Sequence, residues 1–400
     1  NALTVKYQYD ANNRLTQVLI GTSVLTKYFY RNDGLLDSVW NNNGTNEKYK
    51  YDVAGRLKYM DSKKSSGVKL AAYDFELDNL GNHSAENKLE QFGVPSFVNQ
   101  TKTSTFNGEN EINNLGSENF AFNGNGAQTQ KGSITYSWNN VEQLTAIPSK
   151  TKTFTYDASG LLRSATRNGV TTKYVWDVLG IGNLLMETDN SGNATNYYIY
   201  GSGLIARRSA TGVYHFYHGD YRGSTVAMTD ASQNVSHKYQ YDAFGAAINK
   251  VEANANPFQF VGKYGVMYEG DTLSYMRARW YDASIGRFLS EDPVWGANLF
   301  AYSMNNSISL IDRNGASAEK AIEILNNTIR ENPQLVSNGI AAIKAVTNLT
   351  KLELAELKDA ILNPATLTGI QAAASGGGKE IVKHLIKSVP IATKEVLTQG

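Results

Sequence analysis

Tyr49-Lys50-Tyr51-Asp52-Val53-Ala54-Gly55-Arg56-Leu57 is the stretch that decides how this 400-residue chain folds. Tyr49 and Tyr51 are two residues apart, so in a strand both rings lie on one face. Asp52 and Gly55 then suit a tight turn, the carboxylate bonding its own backbone and the glycine accepting positive φ. Arg56-Leu57 opens a returning strand. The nine residues read as the outgoing strand, turn and return of a β-hairpin.

Outward from this point, the second tyrosine recurs at 21-residue intervals, at Tyr9, Tyr30 and Tyr51. Variants follow at Phe75-Glu76-Leu77-Asp78 with Gly81-Asn82, Phe120-Ala121-Phe122-Asn123 and Tyr136-Ser137-Trp138-Asn139. Others are Phe154-Thr155-Tyr156-Asp157 with Gly160, Tyr174-Val175-Trp176-Asp177 with Gly180, and Tyr239-Gln240-Tyr241-Asp242 with Gly245. A fixed period of this size marks a repeat architecture in which no unit buries its own apolar face. Hairpins every twenty-odd residues, joined edge to edge, predict a mainly β protein with a long antiparallel sheet. The aromatics read as core and cross-strand packing. Carbohydrate stacking by exposed tyrosines is the competing reading, and it makes glycans candidate partners.

Composition narrows the function classes. Hydrophobic residues are 41% of the chain, enough for a sizeable core, and the 24 tyrosines add amphipathic packing surface. With 38 basic and 37 acidic residues the net charge is +1, so nothing marks a nucleic-acid or anionic-membrane partner. Cysteine is absent, which excludes disulfides, thiolate metal sites and cysteine nucleophiles within this sequence. No apolar stretch is long enough to predict a transmembrane helix. The start, Asn1-Ala2-Leu3-Thr4-Val5, has neither the basic nor the apolar region of a secretion signal, so any such signal is expected upstream. His215 and His218 are the closest histidine pair, and without an acidic third ligand nearby they read as packing residues. No metal and no cofactor are expected. Asp220-Tyr221-Arg222-Gly223-Ser224 lacks a Gly-x-Ser-x-Gly elbow and reads as a turn.

The chain resembles the YD-repeat, or RHS, family, whose repeats carry Tyr-Asp followed by Gly-Arg-Leu. The resemblance covers roughly residues 1–315 and implies a strand spiral forming a hollow β-shell around another part of the polypeptide. From Tyr217-His218-Gly219-Asp220 onward the sequence resembles that family's repeat-associated core. Arg277-Ala278-Arg279-Trp280-Tyr281-Asp282, Gly286-Arg287-Phe288 and Asp292-Pro293 carry this likeness. The implied division is 1–213 repeat shell, 214–315 core acting as a plug, and 316–400 variable C-terminal domain.

In that family the core is in many members an aspartyl autoprotease that releases the C-terminal domain. The chemistry needs two carboxylates that share a proton, one activating water and one protonating the leaving group. By position the candidates are Asp292 and Asp312, with the cut at Gly315/Ala316. The boxes depart from the family pattern, in which each reads Asp-Pro-x-Gly. The first is Asp292-Pro293-Val294-Trp295-Gly296, its glycine one position late; the second is Asp312-Arg313-Asn314-Gly315-Ala316, without proline. Ser307 stands where the family has proline, and Arg313 is the cation expected to hold Asp312 ionised. The bland alternative makes both aspartates turn caps in a structural plug.

After Gly315 the apolar period changes from two to 3.6. Ile322, Leu325 and Ile329, then Leu354, Leu357 and Ile361, and then Ile381, Leu385 and Ile386 predict amphipathic helices. Three functions compete: a secreted or cell-surface bacterial scaffold that contains its own C-terminal region, a self-cleaving toxin carrier, and an adhesin. The first is preferred, because the boxes are altered and the tail has no recognisable catalytic set. Its partners are then its own C-terminal region and secretion machinery or surface proteins.

Overall fold

The computed structural model describes residues 3–79, 83–95, 101–177, 182–294, 298–308 and 310–316. The chain divides into two units, Asn1–Ser317 and Ala318–Gly400, and all described residues belong to the first. The predicted C-terminal helices, and the turn glycines Gly81, Gly180 and Gly296, lie outside the described residues.

Within them the fold is mainly β, and its antiparallel strands pair in strict sequence order. Eight strands over residues 5–89 form a first sheet, five over 104–135 a second, twelve over 137–252 a third and four over 267–288 a fourth. Only Tyr136 separates the second sheet from the third, and its N–H donates to the Thr129 carbonyl at 2.9 Å. The third sheet passes through residue 213 without interruption, as Gly203–Ser209 pairs with Tyr214–Gly219. The change of architecture comes after its last strand, Ala247–Glu252.

The repeated phrase builds one recurring turn. Asp52 Oδ1 accepts the N–H groups of Ala54 and Arg56, each at 2.9 Å, and its Oδ2 meets Arg56 Nε at 2.6 Å. Gly55 takes φ +74°. The same pair of backbone bonds, to the residues two and four further on, recurs at Asp10, Asp220, Asp230 and Asp242. Asn107, Asn123 and Asn139 reproduce it with a side-chain amide oxygen. Asp220–Ser224 is therefore a turn of the common kind.

The second aromatic of the phrase joins one repeat to the one before. Tyr30 Oη donates to the Leu15 carbonyl at 2.8 Å and Tyr51 Oη to that of Leu36 at 2.9 Å. Tyr156 does the same to Leu144 at 2.7 Å, and Trp176 Nε1 to Leu162 at 2.7 Å. The strand register shifts at this aromatic, between Phe29 and Tyr30 and between Lys50 and Tyr51. A bulge there turns the ring's polar tip onto the neighbouring unit. The first aromatic is core: Tyr49, Phe154 and Tyr239 are buried.

Three clusters hold the layers together. One joins the first sheet to the third through Tyr28, Val39 and Phe75 against Ile199, Phe216 and Val226. Another packs Phe154 and Leu162 of the third sheet on Tyr275 and Trp280 of the fourth. The last is rich in aromatics, with Tyr239, Tyr241, Phe260, Tyr281, Phe288 and Tyr302 beside Val261, Val266, Met276 and Ala283. Each such ring, fully buried, contributes about 1.5–3 kcal/mol. Polar pins cross the same interfaces. His218 is fully buried between Ser62 Oγ and Thr229 Oγ1, both at 2.8 Å, and burial pulls its pKa down to about 3. Glu269 of the fourth sheet pairs bidentately with Arg167 of the third, at 2.6 and 2.5 Å.

Candidate functional site

The fourth sheet positions the candidate site. Its strand Arg279–Asp282 pairs with Leu273–Met276, and Trp280 anchors it by donating from Nε1 to Tyr156 Oη at 2.9 Å. The Arg279 side chain enters the interior and stacks on Phe288, its guanidinium carbon 3.6 Å from the ring centre. Only 2% of Arg279 is exposed. Burial presses its pKa below the ordinary value, against the opposing pull of Asp292 and then Asp312.

Four acceptors converge on this one side chain. Arg279 Nη2 meets Asp292 Oδ2 at 2.6 Å and Asp312 Oδ2 at 3.4 Å. Its Nη1 donates to the Leu299 carbonyl at 2.7 Å and its Nε to the Gly315 carbonyl at 2.5 Å. The two aspartates, 20 positions apart in sequence, thus share one nitrogen. The bond at which the sequence places the cut carries its carbonyl on the same guanidinium.

Asp312 repeats the side-chain bonds of the wall's turn, and Asp292 shares the first of them. Asp292 Oδ1 accepts the N–H of Val294 at 2.9 Å. Asp312 Oδ1 accepts those of Asn314 at 3.3 Å, Gly315 at 2.8 Å and Ala316 at 3.3 Å. In the wall turns at Asp10 and Asp52 the other carboxylate oxygen pairs with the arginine four residues on. Here that local arginine is replaced by Arg279, a residue from the fourth sheet, which serves both carboxylates at once. Turn capping and convergence are therefore compatible: each Oδ1 belongs to its own loop and each Oδ2 to the common centre.

Sequence reasoning named Asp292, Asp312 and the Gly315/Ala316 bond, and the structure brings them together. It named Arg313 as the cation beside Asp312, whereas the guanidinium between the carboxylates is that of Arg279. Arg313 lies over the Tyr264 ring, 5.1 Å from its centre. The signal for Arg279 was present in the Arg-x-Arg-x-Tyr-Asp run, but both of its arginines are buried, and which of them meets the aspartates is set by tertiary packing. Gly296 of the first box lies outside the described residues. Among those described, no group of three or more histidine, aspartate or glutamate side chains could hold a metal ion, and no helix is long and apolar enough to cross a membrane.

Comparison with known proteins gives a consistent set of likenesses. A family profile described as the teneurin YD-shell matches residues 40–309. The tRNA3(Ser)-specific nuclease WapA of Bacillus spizizenii is 32% identical over 257 residues, covering 60% of this chain and 11% of that protein. Double-stranded DNA deaminase toxin A of Burkholderia cenocepacia is 24% identical over 327 residues, covering 75% of this chain and 21% of that protein. The chain thus spans about a tenth to a fifth of the length of these relatives. Among solved structures, TcdB2-TccC3 without its hypervariable C-terminal region matches at 14% identity and a TM-score of 0.56. That match covers 78% of this chain and 20% of the other, and it shows likeness of fold.

Proposed function

The chain belongs to the teneurin YD-shell family, and from this premise we propose that it is the β-shell of an exported bacterial carrier that severs its own C-terminal region. Residues 1–213 are the repeat wall, 214–315 the closing core, whose first strands continue the wall, and 316–400 the variable passenger. The names of the relatives, a nuclease and a deaminase toxin, support a toxin-type passenger and export. What this passenger does is carried by residues 316–400, and the shell's role is to hold and release it.

One observation carries the self-cleavage reading: Asp292, Asp312 and the Gly315 carbonyl meet on the buried Arg279 guanidinium. In the reaction Asp292 takes a proton from water as its oxygen adds to the Gly315 carbonyl carbon. Arg279 Nε, already on that carbonyl oxygen, stabilises the negative charge that develops there. Asp312 Oδ1 accepts the Ala316 N–H at 3.3 Å, and this carboxylate must take up a proton before it returns one to that nitrogen as the C–N bond breaks. One carboxylate must therefore start ionised and the other protonated. The products are a carboxylate at residue 315 and an amine at residue 316.

The test is the mass of the purified full-length chain under denaturing conditions. Two fragments meeting at 315/316 are expected, and Asp292→Asn or Asp312→Asn should leave a single chain. One intact species in the unsubstituted protein would reduce both aspartates to turn caps.

A further inference from the structure

The two aspartates reach Arg279 on arms with different anchors. The Asp312 arm is held from within the core: the Ala278 N–H donates to the Asn314 carbonyl at 3.0 Å and Arg277 Nη1 to that of Arg313 at 2.8 Å. The Asp292 arm, residues 287–292 with 298–301, first folds on itself. The Phe288 N–H donates to the Phe300 carbonyl and the Asp292 N–H to that of Leu299, both at 2.9 Å. The Leu289 N–H then joins the arm to the fourth sheet through the Trp280 carbonyl at 2.8 Å, while its own carbonyl accepts the Gln128 N–H at 2.7 Å. Leu289 is thus bonded to the fourth sheet on one side and to the second sheet on the other.

The second sheet grips the rest of the arm as well. Arg287 Nη2 donates to the Asn110 carbonyl at 2.6 Å, and its guanidinium faces the rings of Phe106 and Phe300, 5.0 and 5.6 Å from their centres. The Phe122 ring meets Phe300 edge-on at 5.5 Å. Glu291, the residue before Asp292, packs on Gly126, where a Cβ would stand 2.5 Å from its Cγ. Lys131 Nζ reaches Asp282 Oδ2 and Ser284 Oγ, each at 2.6 Å, so the strand Gln128–Lys131 also holds the end of the strand that carries Arg279. Gln128 is tied in turn to the third sheet, since its carbonyl accepts Trp138 Nε1 at 2.8 Å. The bonds from Lys131 to Asp282 and from Arg287 to Asn110 span 151 and 177 residues, whereas the one from Arg277 to Arg313 spans 36. Closing the longer loops costs more chain entropy, so the Asp292 arm is the later of the two to find its anchor.

We propose that the second sheet is the positioning element of the cleavage centre: through Gln128, Phe122 and Arg287 it sets the Asp292 arm in place, so the bond is cut only after the wall has closed on the core. This inference rests on the self-cleavage reading for its chemistry, but the clamp itself does not. Gln128, Phe122 and Arg287 act through the arm rather than on the reacting atoms. Asp292 must share one nitrogen with Asp312 and also reach the attacking water, and a displacement of about 1 Å can slow such a reaction about 100-fold. A chain whose second sheet has not docked carries both aspartates and still leaves residues 316–400 attached.

The experiment follows the natural full chain and its variants during cell-free synthesis with a brief radiolabel, reading the fraction cut at 315/316 with time. Hydrogen exchange of the purified chains, resolved to single amides, reads Asp292, which bonds Leu299, and Ala278, which bonds Asn314. Gln128→Pro removes the N–H given to Leu289. Arg287→Met removes the donor to Asn110 and keeps apolar contact with Phe106 and Phe300. Both should slow the cut about 100-fold without moving it. In both, the Asp292 amide should lose protection while Ala278 keeps it. Arg287→Lys, which retains a donor for Asn110, should bring the rate back to within about tenfold of the natural one. Retained protection in the strand Leu57–Lys63 checks that the wall has folded. Should Gln128→Pro or Arg287→Met fail that check, Phe122→Ala, which removes only a ring against Phe300, takes its place with the same expectation. Cutting within about threefold of the natural rate in the variants overturns the proposal. So does an Asp292 amide that stays protected, or one that loosens together with Ala278. A natural chain that stays intact overturns self-cleavage and the timing drawn from it, and the Asp292 amide of the variants then decides the clamp alone.

Discussion

Replacing Arg279 by methionine is the most informative single change. Methionine has a similar length and can lie against Phe288, so the perturbation is mainly electrostatic. It strips the cation from two buried carboxylates and removes donors from the Leu299 and Gly315 carbonyls. Removing one partner of a buried ion pair costs about 3–5 kcal/mol, because the remaining charge is left without compensation. Loss of the guanidinium stacked on Phe288 adds up to about 2 kcal/mol. Against a folding stability of about 5–15 kcal/mol, a loss near 4 kcal/mol should be plain in urea unfolding followed by fluorescence. Arg279→Lys keeps the charge but offers a single nitrogen to four acceptors, and it should fall about halfway. Adding Asp292→Asn and Asp312→Asn to Arg279→Met removes the stranded charges and should recover about half of the loss. If Arg279→Met costs under about 1 kcal/mol, or the triple variant recovers nothing, the carboxylates do not depend on Arg279 and the centre is not a charge-coupled unit.

Other outcomes follow from the wall and its pins. Tyr51→Phe removes one hydroxyl–carbonyl bond to Leu36 and should cost about 1 kcal/mol, read as a lowered melting temperature. His218 has a folded-state pKa near 3, below the unfolded value of about 6.5. Its neutral form is therefore the stabilising one, fully present above pH 6.5 and lost as pH falls toward 3. At pH 4.5 the natural protein should have lost about 2–3 kcal/mol that His218→Gln does not lose, measured as the difference in unfolding free energy between pH 7 and 4.5. Glu269→Ala breaks the bidentate contact with Arg167, and hydrogen exchange should rise in Met267–Gly270 and Leu273–Met276 while Leu57–Lys63 is unchanged.

Much of the wall was legible because its information is local. Asp52, Gly55 and the aromatics on either side of them act within nine residues, so a turn and two strands can be read from spacing alone. The resemblance extended that reading to the core region and picked out Asp292 and Asp312. Less legible was the role of the second aromatic. Tyr51 looks like one more packing ring, yet its hydroxyl serves Leu36 in the previous repeat, a bond that depends on the bulge at Tyr51.

By itself, then, the sequence determined the repeat, the antiparallel order of strands and the turn chemistry, since each rests on neighbours close along the chain, while the two aspartates were singled out by the family resemblance. Only the tertiary structure decided that Arg279 rather than Arg313 stands between those aspartates. It alone showed that His218 pins the first sheet to the third. These are contacts across 13 to 156 residues of sequence. Each depends on strand register, because a shift of one residue turns every side chain to the opposite face.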